Sequence, residues 1–184
     1  MPKETIEYYI KLGFNNFCVG SVEQAQIIKN INNEIIVVGS ISMRLTLKEI
    51  NNNTEYEDLF DYIVLHFPFC RNLSEIKQLT NKYKYILLIN AYCHVDCDGS
   101  HHWNRLYMGE KSYCPGRLGG TFLKWSQGTR IRPMDLELFN PYISVFKLQD
   151  RGWPTADILR DYILYTTNYN IYPEINYTEK IYNK

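Results

Sequence analysis

No apolar run in the 184-residue chain approaches the ~20 residues that a membrane-crossing helix needs. The amino-terminal stretch MPKETIEYYIKLG has the polar–apolar period of a helix, where a signal peptide would show a basic segment and then an apolar one. Both features lead us to expect a cytoplasmic protein with no membrane partner. Net charge is missing as well: twenty basic side chains face twenty acidic ones, so nothing electrostatic favours a nucleic-acid duplex or an anionic lipid surface. No glycine-rich phosphate fingerprint follows the first apolar run, which argues against a dinucleotide-binding fold. The five cysteines are odd in number and irregular in spacing. In a reducing compartment such cysteines serve as buried apolar groups, metal ligands or nucleophiles rather than as disulfides.

The chain contains regular alternation. Its length is that of one domain, able to bury roughly 70% of the surface its unfolded form exposes. Helix patterns are expected over residues 5–12, from Ser21 as an N-cap with Val22, Ala25, Ile28 and Ile31 at helical spacing, near residues 45–51, over 73–83 and over 155–165. Between them lie short runs rich in Ile and Val, at residues 14–20, 34–42, 61–68 and 84–92, and a fifth at 142–148 after a short helix opened by Pro133. Continuous apolar runs indicate strands covered on both faces, and helical crossovers make parallel neighbours. The expected fold class is therefore α/β, with two architectures open: a parallel β/α barrel-like fold, partial or truncated at this length, or an open parallel sheet. No linker or low-complexity block interrupts the chain, so residues 1–168 are expected to form a single domain with a long site loop at 93–130, followed by a polar tail at 169–184.

Either architecture places ligands outside the carboxyl ends of the strands, which marks Ser21, residues 42–44, 66–69, 90–97 and 147–151. The richest of these is NAYCHVDCDGSHHW, which begins at Asn90. Cys93 and Cys97 are separated by three residues, Cys114 follows after sixteen more, and His101 and His102 lie between. Thiolates are soft ligands for zinc or iron–sulfur clusters and imidazole suits zinc, so Cys93, Cys97 and Cys114 with His101 or His102 form a candidate metal set. A nucleophilic cysteine with His94 or His101 as its base is the competing chemistry, and simple packing of these side chains is the third reading.

The order LLINAYCHVDCDGSHHW, then Cys114, then ISVFKLQDR resembles the collagenase-like peptidase family, which includes ubiquinone- and RNA-hydroxylation proteins. Asn90 is similar to the family's asparagine at a strand end. Cys93, Cys97 and Cys114 resemble three of its cysteines, and residues 147–151 occupy the place of its Lys-Ile-Glu-Gly-Arg motif. The resemblance implies a parallel barrel, an iron–sulfur cluster or zinc, and hydroxylation or hydrolysis of a peptide, RNA or small-molecule substrate, with Asn90, Lys147 and Arg151 at the reacting centre. It also implies a fourth ligand, a place that His101, His102 or Cys70 would take, because no cysteine lies between Cys114 and FKLQDR. Gln149 and Asp150 stand where the motif has Glu and Gly. The chain is short for a barrel of ~250 residues, so a partner chain completing the barrel is a further expectation, and so is a non-catalytic, partner-binding member of the same fold.

Several other residues carry two readings. Lys147 either binds an anionic group or is buried beside an acid such as Asp61, and Arg151 either binds the same group or ties down a turn. Arg130 and Arg132 in GTRIRP offer a small anion clamp. Cys18 reads as core, Cys70 as a residue near a strand end, and His66 either as a satisfied strand histidine or as one facing the site. Trp103, Trp125 and Trp153 could cover the site, while Tyr162, Tyr165, Tyr169 and Tyr172 recur as a packing stripe.

Overall fold

The structure, a computed structural model, describes residues 2–90, 130–148 and 155–167. It is a mixed α/β arrangement around one open, five-stranded parallel sheet, and no barrel is formed by these strands. The chain enters through helix α1 (Lys3–Lys11) and then builds strand β1 (Asn16–Val19), helix α2 (Val22–Ile31), strand β2 (Ile36–Gly39) and helix α3 (Leu47–Asn52). Strand β3 (Tyr62–Val64), the single turn α4 (Leu73–Ile76) and strand β4 (Lys84–Leu88) follow. After residue 129 come a 3₁₀ helix at Pro133–Leu138, strand β5 (Val145–Lys147) and helix α5 (Thr155–Thr167). The strands lie in the order β1-β2-β3-β4-β5, each hydrogen-bonded in parallel to its successor in the chain.

Local chemistry explains most of these boundaries. Ser21 caps α2 by accepting from the Gln24 amide, while Gln24 reaches back to the Gly20 amide, so two otherwise orphan donors are satisfied. Thr46 and Glu49 form a full capping box at α3. Pro133 sits in the first turn of the 3₁₀ helix, where its missing amide hydrogen costs nothing. The expected helix over 73–83 is cut to one turn. Asn51, in α3, accepts from the Thr80 amide and donates to the Gln78 carbonyl, which draws residues 78–80 out of the helical path.

Burial separates the two faces of the sheet. Phe17, Val19, Val37, Ile63, Tyr85 and Leu87 share one face and are all buried, with Ala25 and Ile28 of α2 fully enclosed in the same core. Burying a side chain such as Ile28 contributes about 1.5–3 kcal/mol. The other face is not covered along its whole length. Cys18, Val38, Tyr62 and Lys84 lie in one register row across four strands. Cys18 and Lys84 are exposed and the other two half-buried; Ile36 and Val145 on the same face are also exposed. The expectation of strands covered on both faces therefore fails for the amino-terminal half of the sheet, and Cys18 is an exposed residue rather than core. Crossovers of one hand that always step to the next neighbour lay their helices against the same side, so one side is packed and the other left open.

Candidate functional site at the carboxyl end of the fourth strand

The carboxyl ends of the strands gather Ser21, residues 42–44 and 66–69, Asn90 and Lys147, but several of these are committed to the fold. Ser21 is occupied as the α2 cap. Arg44 closes the 3₁₀ turn Ile41–Met43 with a left-handed backbone, φ 50°, which a non-glycine residue adopts at some cost. His66 is buried with its ring 5.5 Å from that of Phe67, and Cys70, in the 3₁₀ helix Phe67–Arg71 that follows, is wholly enclosed.

A constellation that joins distant parts of the described chain lies beyond β4. Asn90 is 1% exposed, and its carboxamide donates to the Asp161 carboxylate of α5 at 3.0 Å. The same carboxylate accepts from both terminal nitrogens of Arg130, at 2.7 and 3.3 Å, and from Arg160 at 3.4 Å. An ionised carboxylate offers about four acceptor positions, and a forked guanidinium matches its geometry. Burial of Asp161, also 1% exposed, is thereby compensated by charge and hydrogen bonds together. The Arg130 guanidinium also lies over the Tyr165 ring, 5.5 Å from its centre. The Tyr165 hydroxyl stands 2.6 Å from the Ile131 carbonyl and 3.0 Å from that of Ile89, between which its single proton is shared. The Ile131 amide donates to Ile89, at 2.8 Å, so the chain re-enters beside the strand it left.

The expected anion clamp is corrected by these pairings: Arg130 is engaged with Asp161 and Arg132 with Asp135, whose nearest contacts run from the Arg132 Nε and Nη2. Asp61 pairs with Lys29, not Lys147. The Asp61 carboxylate also accepts the Val37 amide at the amino end of the sheet, whereas Lys147 is exposed at the opposite end, in register with Leu88. Lys147 thus lies on the same end of the sheet as Asn90, and its carbonyl accepts from the Ile89 amide. Cys93, Cys97, His101, His102, Cys114 and Arg151 lie outside the described residues, as do the three tryptophans, Tyr169 and Tyr172. Tyr162 is exposed and does not pack as a stripe would require, unlike Tyr165.

Among the described residues no group of three or more His, Cys, Asp or Glu side chains is gathered for a metal ion. Asp161 was not anticipated. Its signal in the sequence is an acid three residues after Ile158 and four before Tyr165, on what is otherwise an apolar helical face. No described helix is long and apolar enough to cross a membrane. Comparison with protein-family models, curated proteins and solved structures finds no match to this chain.

Proposed function

We propose that the chain is a collagenase-like peptidase-type protein whose reaction centre sits at the carboxyl end of its parallel strands. In this reading Cys93, Cys97 and Cys114, with His101 or His102, hold an iron–sulfur cluster or zinc. Asn90, Lys147 and Arg151 orient a peptide, RNA or small-molecule substrate for hydroxylation or hydrolysis, and the sheet is part of a barrel. The observation that supports it is the placement of Asn90: an enclosed carboxamide, held by Asp161, stands at a strand end immediately before the cysteine- and histidine-rich segment. A buried amide fixed in this way suits a rigid support for a site. The strictly sequential strand order is also the winding of a β/α barrel.

Anaerobic purification followed by iron, sulfide and zinc analysis tests the reading. It expects near-stoichiometric metal that falls with Cys97→Ala. Less than about a tenth of an equivalent of any transition metal, with an unchanged spectrum and stability in the variant, overturns it.

A second reading, a non-catalytic subunit that binds a partner chain, has its own support in the partly open sheet face. Ile36, Val38, Tyr62, Ile86 and Val145 present apolar surface there, and a second copy of the chain is the occupant we assign to it. Equal numbers of basic and acidic side chains leave two copies without net repulsion. Light scattering on the full chain and on Ile36→Lys tests this second reading: a dimer that the substitution dissociates supports it, and a monomer at every concentration removes it.

A further inference from the structure

We infer that helix α5 is a latch for the candidate site, with Asp161 as its positioning residue. The inference concerns the same strand end but rests on hydrogen bonds alone, so it stands or falls independently of any metal. Asn90 and Arg130 precede and follow residues 91–129 in the chain, and both donate to one carboxylate carried by α5. One turn further along the helix, Tyr165 repeats the arrangement: its hydroxyl reaches the carbonyls of Ile89 and Ile131, the neighbours of those same two residues. Two side chains of one helix therefore bridge the same pair of stems twice, once through charge and once through a neutral hydroxyl.

This duplication has a physical consequence. The stems are joined directly by the Ile131 amide and the Ile89 carbonyl, and β4 is held on its far side by the Ile89 amide and the Lys147 carbonyl. When α5 leaves, Arg130 and Asn90 both lose the Asp161 carboxylate, and a guanidinium whose side chain is 9% exposed gives up its charge-assisted pair at a buried position. Docking of α5 thus supplies the carboxylate that holds the Asn90 carboxamide, while β1 and β2, which pair with each other and, through β2, with β3, make none of these bonds. An event that lifts the helix would disassemble the strand end without unfolding the sheet.

Hydrogen exchange on the full-length protein, read at individual amides, tests this with Asp161→Asn. That variant keeps the side-chain volume and an acceptor for Asn90 but removes the charge that Arg130 needs. The amides of Ile89 and Ile131 and those of residues 158–166 are expected to exchange roughly tenfold faster or more, together, as loss of a charge-assisted bond requires. The Ser40 and Ile36 amides, bonded to Val19 and Asn15, should keep their wild-type rates. Tyr165→Phe is expected to accelerate the same amides to a smaller extent, and it serves as the test if Asp161→Asn does not fold. Unchanged rates in α5 and the stems, or an equal acceleration across β1 and β2, would overturn the latch. Metal content measured on the same samples reports separately on the proposed centre.

Discussion

Arg130 and Asp161, thirty-one residues apart in the chain, form an ion pair whose side chains are 9% and 1% exposed. A pair enclosed to this degree is worth little relative to an apolar pair of the same shape, because both charges have been taken out of water. Breaking it is another matter, since the surviving charge keeps its burial and loses the carboxylate opposite it. Asp161→Ala should therefore lower the unfolding free energy by about 3–5 kcal/mol, and urea denaturation followed by circular dichroism would measure it. A loss below about 1 kcal/mol would mean that the pair is solvated in solution.

The capping box of α3 links a local motif to acid stability. The Thr46 hydroxyl and amide donate to the Glu49 carboxylate at 2.6 and 2.8 Å, and these bonds, the hydroxyl first, hold the Glu49 carboxyl below the usual carboxylate range. A depressed folded pKa gives stability that is present above the unfolded value of about 4.3 and is lost as pH falls through the folded one. Thr46→Ala should cost about 1 kcal/mol at neutral pH, and its difference from wild type should shrink below pH about 4. Melting temperatures of both proteins across this range are the check.

Tyr85 predicts the alkaline limb. Burial first, and then the neighbouring Tyr83, push its phenol above the ordinary tyrosine value, while its hydroxyl donates to the Thr80 carbonyl at 2.7 Å. A raised folded pKa contributes stability that is complete below the unfolded value of about 10 and is lost as pH rises beyond it. Tyr85→Phe should flatten the decline in melting temperature above that pH. Part of the decline should persist, because burial raises Tyr83 as well. An identical slope in wild type and variant would refute the assignment.

Thiol labelling distinguishes the two described cysteines. Cys18 is exposed on the open face of β1, whereas Cys70 is 0% exposed in the core. Iodoacetamide followed by peptide mapping should modify Cys18 in the native protein and Cys70 only after denaturant is added. Rapid native labelling of Cys70 would show that the 3₁₀ helix Phe67–Arg71 opens readily.

The strands were legible as apolar runs, yet each came out shorter than its run: residues 34–42 yielded Ile36–Gly39, and residues 142–148 yielded Val145–Lys147. A run of apolar side chains shows that a segment is buried, but the ladder ends where the neighbouring strand ends, and that neighbour is elsewhere in the chain. The same limit explains the misjudged Cys18. An apolar flank predicts core, whereas exposure followed from β1 being an edge strand with one face open. In the candidate site, Asn90 stood out because it precedes a cysteine-rich segment, while Arg130 was assigned to an anion because its true partner was out of sight.

Features whose partners lie within three or four residues were decided locally: the Ser21 cap, the Thr46–Glu49 box and the proline that opens the 3₁₀ helix. Their energies depend on backbone geometry that any helix start supplies, so residue type and spacing suffice. The Asn90–Asp161 bond spans seventy-one residues, and the truncation of α4 depends on Asn51, nearly thirty residues away. These required the sheet to bring β4, the returning chain and α5 together. Only there does water leave the carboxylate, which makes a bond to one particular arginine and one particular asparagine worth more than solvation.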